Sequence, residues 1–145
     1  MSFEALPEEV VEIFEKLAAD YSDIAHLEVA GKSLEGRDIL VLKISDNPTE
    51  NEADEPAILF NAMHHARELM TVEVIIDIAT TLLSKYKTDA TIKNYVDNNA
   101  IYIVPQVNPD GNHKVWTENN MWRKNARPPY GVDINRNYPY MWGKC

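Results

Sequence analysis

Apolar residues recur at helical spacing near the start of the chain. Val10, Phe14, Leu17 and Tyr21 share one face of a helix. Pro7-Glu8-Glu9 suits its first turn, because proline fits the first helical position and acids favour the positive end of the helix dipole. Leu27 and Val29 then suggest a short strand, and Gly31 to Gly36 a loop. Ile39 to Ile44 is a second strand, rich in branched residues and interrupted only by Lys43. The two strands are expected to pair as an antiparallel hairpin at a sheet edge. Asp46 to Pro56 reads as a polar loop.

Ala57 to Ala62 is nearly all apolar, as expected of a central strand covered on both faces. Leu69 to Tyr86 follows as a long helix with a wide stripe of Val72, Ile75, Ile76, Ala79, Leu82, Leu83 and Tyr86. Asp89 to Asp97 predicts a shorter helix with Ile92, Tyr95 and Val96 inward. Ile101 to Val104 is another buried strand. Asn108-Pro109-Asp110-Gly111 carries turn chemistry. From Asn112 to Cys145 the chain shows little periodicity and is rich in Asn, Pro, Tyr, Trp and Arg. A stretch of that kind is usually functional. The alternation of strand, helix and strand predicts an α/β fold with a mixed β-sheet flanked by helices.

The 145 residues suffice for one domain with a real core, and a hydrophobic content of 45% places the chain among globular proteins. A net charge of −9 argues against nucleic acid as a partner. No apolar run reaches the length of a membrane span, and Met1-Ser2-Phe3-Glu4 lacks the features of a signal peptide. The one cysteine, Cys145, has no internal disulfide partner, and its place at the last position suggests a cut chain.

Candidate chemistry gathers at the junction of the apolar strand and the long helix. His65 and Glu68 stand three residues apart there. Imidazole and carboxylate are ligand types that catalytic zinc prefers, and such zinc normally takes three protein ligands. The plainer reading is a histidine at a helix start beside a first-turn acid. The acidic loop holds Asp46, Glu50, Glu52, Asp54 and Glu55. It reads first as a solvated loop, although clustered carboxylates also suit Ca²⁺.

Four motifs occur in order: His65-Ala66-Arg67-Glu68, Asn108-Pro109-Asp110-Gly111, Trp122-Arg123-Lys124-Asn125, and Gly131 through Tyr138. The series resembles the zinc metallocarboxypeptidases of the carboxypeptidase A and B type. The tail from Asn135 to Cys145 is most similar to the bacterial carboxypeptidase T branch. The resemblance implies Zn²⁺ held by His65 and Glu68, with Arg123 stabilising the developing oxyanion. It implies that Asn135 and Arg136 clamp the terminal carboxylate of a peptide or protein substrate, and that Arg67 lines the cleft. Asp133 would orient His65 by accepting its second N–H. His64 is expected to be structural, pointing away from the ligand if its backbone is extended.

In that family the third zinc ligand, the general-base Glu and the substrate-capping Tyr lie further along the chain than Cys145. The resemblance therefore implies that residues 1–145 form the N-terminal part of one catalytic domain, partnered by a C-terminal half. On this reading the 145 residues alone are inactive, and an exposed sheet edge and apolar helix faces are expected. Two further readings remain: a non-catalytic module that binds C-terminal carboxylates, and a zinc amidohydrolase acting on acylated amino acids. The resemblance favours secretion, on which the sequence itself is silent.

Overall fold

The computed structural model describes residues 6–144. Met1 to Ala5 and Cys145 lie outside the described residues, and with them the expectations about the chain's start and its cysteine.

Helix α1, Pro7–Asp20, begins at the expected proline, and the Glu9 carboxylate accepts a hydrogen bond from Leu6 N at 2.7 Å. Its Val10 and Phe14 are buried. Strand β1 is longer than its sequence pattern suggests, spanning Ala25–Lys32 and absorbing part of the expected loop. It pairs antiparallel with β2, Asp38–Ile44, and the hairpin lies at a sheet edge as expected. β2 pairs antiparallel with β4, Ala100–Val104, and β4 pairs parallel with β3, Ala57–Asn61. The strand order is β1-β2-β4-β3, a mixed sheet.

Alternation along the central strands places Leu42 and Ile44 opposite Ile103 and Ile101 on one face. This face joins a single core with Val10 and Phe14, with Val72, Ile75, Ala79, Leu82 and Leu83 of α2 (Met70–Lys85), and with Val96 of α3 (Ala90–Asp97). Asp89 caps α3, accepting from the backbone N–H groups of Thr91 at 2.8 Å and Ile92 at 3.2 Å. Lys43, the polar interruption in β2, is buried. Its ammonium donates to the carbonyls of Asn47 and Glu50, which ties the acidic loop to the other face of the sheet. Among the described residues no helix is long and apolar enough to cross a membrane.

Three expectations need correction. β3 is an edge strand rather than a covered central one, with Ile58, Leu59 and Phe60 exposed. An apolar run encodes a strand's preference for cover, not the presence of that cover in the same chain. The companion expectation, an open edge with apolar helix surface beside it, is met: Met70 and Val74 of α2 are exposed next to Phe60. Hydrogen bonds from Ala100 N to Pro56 O and from Ala62 N to Val104 O, both 3.0 Å, set the ladder's phase. Even-numbered residues of β3 therefore bond to β4, and Ala57, Leu59 and Asn61 turn their backbone groups outward. Second, Tyr95 points outward rather than into the core. Third, Asn108 to Gly111 opens a helix, α4 (Pro109–Thr117), inside the stretch read as aperiodic.

Candidate metal and catalytic site

Every candidate site residue lies beyond the C-terminal ends of the parallel strands β3 and β4, where open α/β sheets commonly place ligand sites. The segment after β3 turns sharply. Met63 has a left-handed φ of 57°, and its N–H donates to Thr71 Oγ1 at 3.1 Å. Thr71 Oγ1 in turn donates to Glu68 O at 2.7 Å. His64 and His65 lie in a bend rather than in extended backbone. The ring of His64 leaves the site for another reason: its Nε2 lies 2.6 Å from Tyr138 Oη. Burial, followed by the neighbouring His65, pushes the pKa of His64 below its ordinary value.

His65 is buried between two carboxylates. Its Nδ1 lies 2.9 Å from Glu68 Oε1, and its Nε2 lies 3.0 Å from Asp133 Oδ1. Arg123 closes the figure, with Nε donating to Asp133 Oδ2 at 3.1 Å and Nη1 3.5 Å from Glu68 Oε1. The four side chains form a closed ring in which each carboxylate lies between His65 and Arg123. Burial pushes the Asp133 pKa up, but the bonds from Arg123 and His65 outweigh it, and the net shift is downward.

Arg123 and Asp133 meet because Asn125 folds the intervening loop. Asn125 Oδ1 accepts from Arg127 N at 3.1 Å and from Val132 N at 2.8 Å, and Asn125 N donates to Val132 O at 3.0 Å. Asn135 and Arg136 follow on a short 3₁₀ turn, Ile134–Arg136, and both are exposed. Arg136 Nη1 donates to Asn135 O at 2.9 Å. Arg67 is exposed, its Nη1 donating to Met121 O at 3.2 Å.

The donor chemistry fits a cation at the Nδ1 side of His65. A neutral imidazole carries one N–H, yet both ring nitrogens here face carboxylate oxygens. With the N–H on Nε2 toward Asp133, the Nδ1 lone pair and Glu68 Oε1 converge on one point, and a positive charge between them satisfies both. Among the described residues no third His, Asp, Glu or Cys completes this pair. The group of three that does converge is Asp46, Glu52 and Glu55, whose oxygens lie within 4.8 Å of one another. There burial, then the charges of Glu52 and Asp46, raise the Glu55 pKa.

Asn108 carried no expected role beyond a turn. It is buried at 2% exposure and touches both segments of the site, which its sequence position does not betray.

A profile of the zinc carboxypeptidase family matches residues 10–145. A zinc carboxypeptidase from Saccharothrix mutabilis subsp. capreolus is 42% identical over 143 residues, which is 95% of this chain and 33% of that protein. Metallocarboxypeptidase A of Trichophyton tonsurans is 46% identical over 118 residues, 78% of this chain and 28% of its own length. Among solved structures, carboxypeptidase A from Helicoverpa armigera superimposes on 100% of this chain and 36% of its own, with a TM-score of 0.87 and 29% identity. The chain spans about a third of the length of the curated relatives it matches.

Proposed function

Because this chain belongs to the zinc carboxypeptidase family, we propose that it contributes to an enzyme that removes residues from the C-termini of peptides and proteins. The observation that carries the reading is the closed ring of His65, Glu68, Arg123 and Asp133. His65 and Glu68 would hold Zn²⁺, which when bound supplies Lewis-acid polarisation of a carbonyl and a water of lowered pKa.

The chain's own residues do the rest. Asp133 holds the proton of His65 on Nε2 and so keeps Nδ1 a lone-pair donor. Arg123, fixed by Asp133, presents its remaining N–H groups to the negative charge that develops on a carbonyl oxygen during attack. Arg136, on its exposed turn, is suited to pair with a terminal carboxylate through two parallel hydrogen bonds, with Asn135 beside it. Arg67 flanks the approach. None of these side chains is placed as a general base, a group worth about 10²–10⁴ in rate, so the 145 residues alone turn over peptides far more slowly than the family's enzymes.

Zinc titration by calorimetry, with His65→Ala alongside, tests the assignment. Binding at about micromolar or tighter is expected, and its loss in the variant. Zinc binding that survives His65→Ala unchanged overturns it.

A further inference from the structure

The motif Asn108-Pro109-Asp110-Gly111 lies outside the ring of charged side chains, yet one of its side chains spans the site's two halves. Asn108 Nδ2 donates to His64 O at 3.2 Å and to Lys124 O at 3.2 Å. His64 immediately precedes His65, and Lys124 immediately follows Arg123. The same side chain caps α4, its Oδ1 accepting from Gly111 N at 3.0 Å. A backbone bond also ties the two segments directly, Ala66 N to Arg123 O at 3.0 Å.

Gly111 makes the arrangement possible. A Cβ at that position would lie 2.5 Å from Lys124 O, 2.5 Å from Asn108 Nδ2 and 2.6 Å from Asn108 Oδ1. Contacts so short do not occur, so any larger residue would push the Lys124 carbonyl off Asn108. Burial of Asn108 makes its geometry demanding: its donors have no water to turn to, and the two carbonyls fix where both chain segments lie.

We propose that Asn108, backed by Gly111, is a positioning residue that sets the spacing between the His65–Glu68 segment and Arg123. Its action is through the backbone carbonyls of His64 and Lys124 and not through contact with metal or substrate. The inference rests on the zinc reading for its functional meaning, although the clamp itself is a property of the chain.

Asn108→Asp separates the clamp from the helix cap, because the carboxylate keeps an acceptor for Gly111 N and loses both donors. Amide hydrogen exchange on the full chain reads the result. At Ala66, whose N–H bonds to Arg123 O, exchange should accelerate about tenfold or more, while Leu42 and Ile103 in the central strands stay within about twofold. Gly111→Ala, which removes the same carbonyl contact by steric means, should give the same local pattern and guards against a variant that folds poorly. Unchanged exchange at Ala66 overturns the proposal. Equal acceleration at Ala66, Leu42 and Ile103 also overturns it, since that marks a general structural role. Failure of the zinc reading shows separately, as absence of His65-dependent zinc binding in the unmodified chain.

Discussion

Asp110 offers the most direct test of how the site's platform is anchored. Its carboxylate is 4% exposed and accepts from Ser33 Oγ at 2.6 Å, Glu35 N at 3.0 Å and Arg37 Nη1 at 2.8 Å. It thereby pins the β1–β2 hairpin to the first turn of α4. Asp110→Asn keeps the shape but removes the charge and sets an amide against one of three donors. A hydrogen bond to a charged group contributes about 1.5–3 kcal/mol and a neutral one about 1, so three bonds lose about 3 kcal/mol together. Arg37 is 29% exposed, so solvent screening takes about 1 kcal/mol off that loss. The net loss of about 2 kcal/mol corresponds to a Tm drop of about 4–8 °C for a chain of this size.

The pH dependence follows from the direction of the Asp110 pKa. Burial raises it, but the bonds from Ser33, Arg37 and Glu35 win, and it lies below the ordinary value of 3.8. Stability from the ionised group is therefore fully present above the unfolded-state pKa and is lost as pH falls through the folded one. Urea unfolding followed by circular dichroism should show a constant gap between wild type and Asp110→Asn from about pH 7 to 5, narrowing below about 4. A gap under about 0.5 kcal/mol at neutral pH, or one that does not narrow in acid, would refute the reasoning.

Three further outcomes are expected. Phe14→Ala, at a residue 0% exposed in the core, should cost about 3–5 kcal/mol in urea unfolding; a loss under 1 would mean the site collapses around the deletion. Asp89→Ala removes the cap of α3 and should cost about 1 kcal/mol by thermal melting, with Asp89→Ser restoring most of it. Val74 is 56% exposed in the apolar groove beside Phe60 and Met70, so Val74→Glu should weaken binding of an environment-sensitive apolar dye with Tm nearly unchanged. Undiminished dye fluorescence would place the accessible apolar surface elsewhere.

What the sequence discloses depends on whether the signal is local. α1 and α2 are legible because Val10 and Phe14, and Val72 through Leu83, repeat at the helical period and one face is buried. α4 is hidden because Pro109-Asp110-Gly111-Asn112 is turn chemistry by composition. The readable clue is an Asn cap followed by Pro at the first helical position. The place of β3 in the sheet is not written in its apolar run, since a strand's neighbours are chosen elsewhere in the chain. The His65 to Glu68 spacing is local and visible. The approach of Asp133 to His65 depends on Asn125 closing a loop, and the reach of Asn108 to His64 and Lys124 depends on tertiary packing. Motif likeness brings Asp133 to attention, whereas nothing in the sequence marks Asn108 as a bridge. The turning of His64 toward Tyr138 is a contact across 74 positions, for which its place in the sequence gives no warning.

The outward backbone groups of Ala57, Leu59 and Asn61 leave β3 with half its pairing valence unspent. Four positions beyond Asn61 stands His65, and Ala62, between them, is bonded to both Val104 O and Val107 N. Assembly and chemistry are therefore wired to the same short stretch of chain. A strand seated along β3 would steady the stem from which His65 projects. Whatever pairs with that edge therefore bears on the backbone that leads to His65.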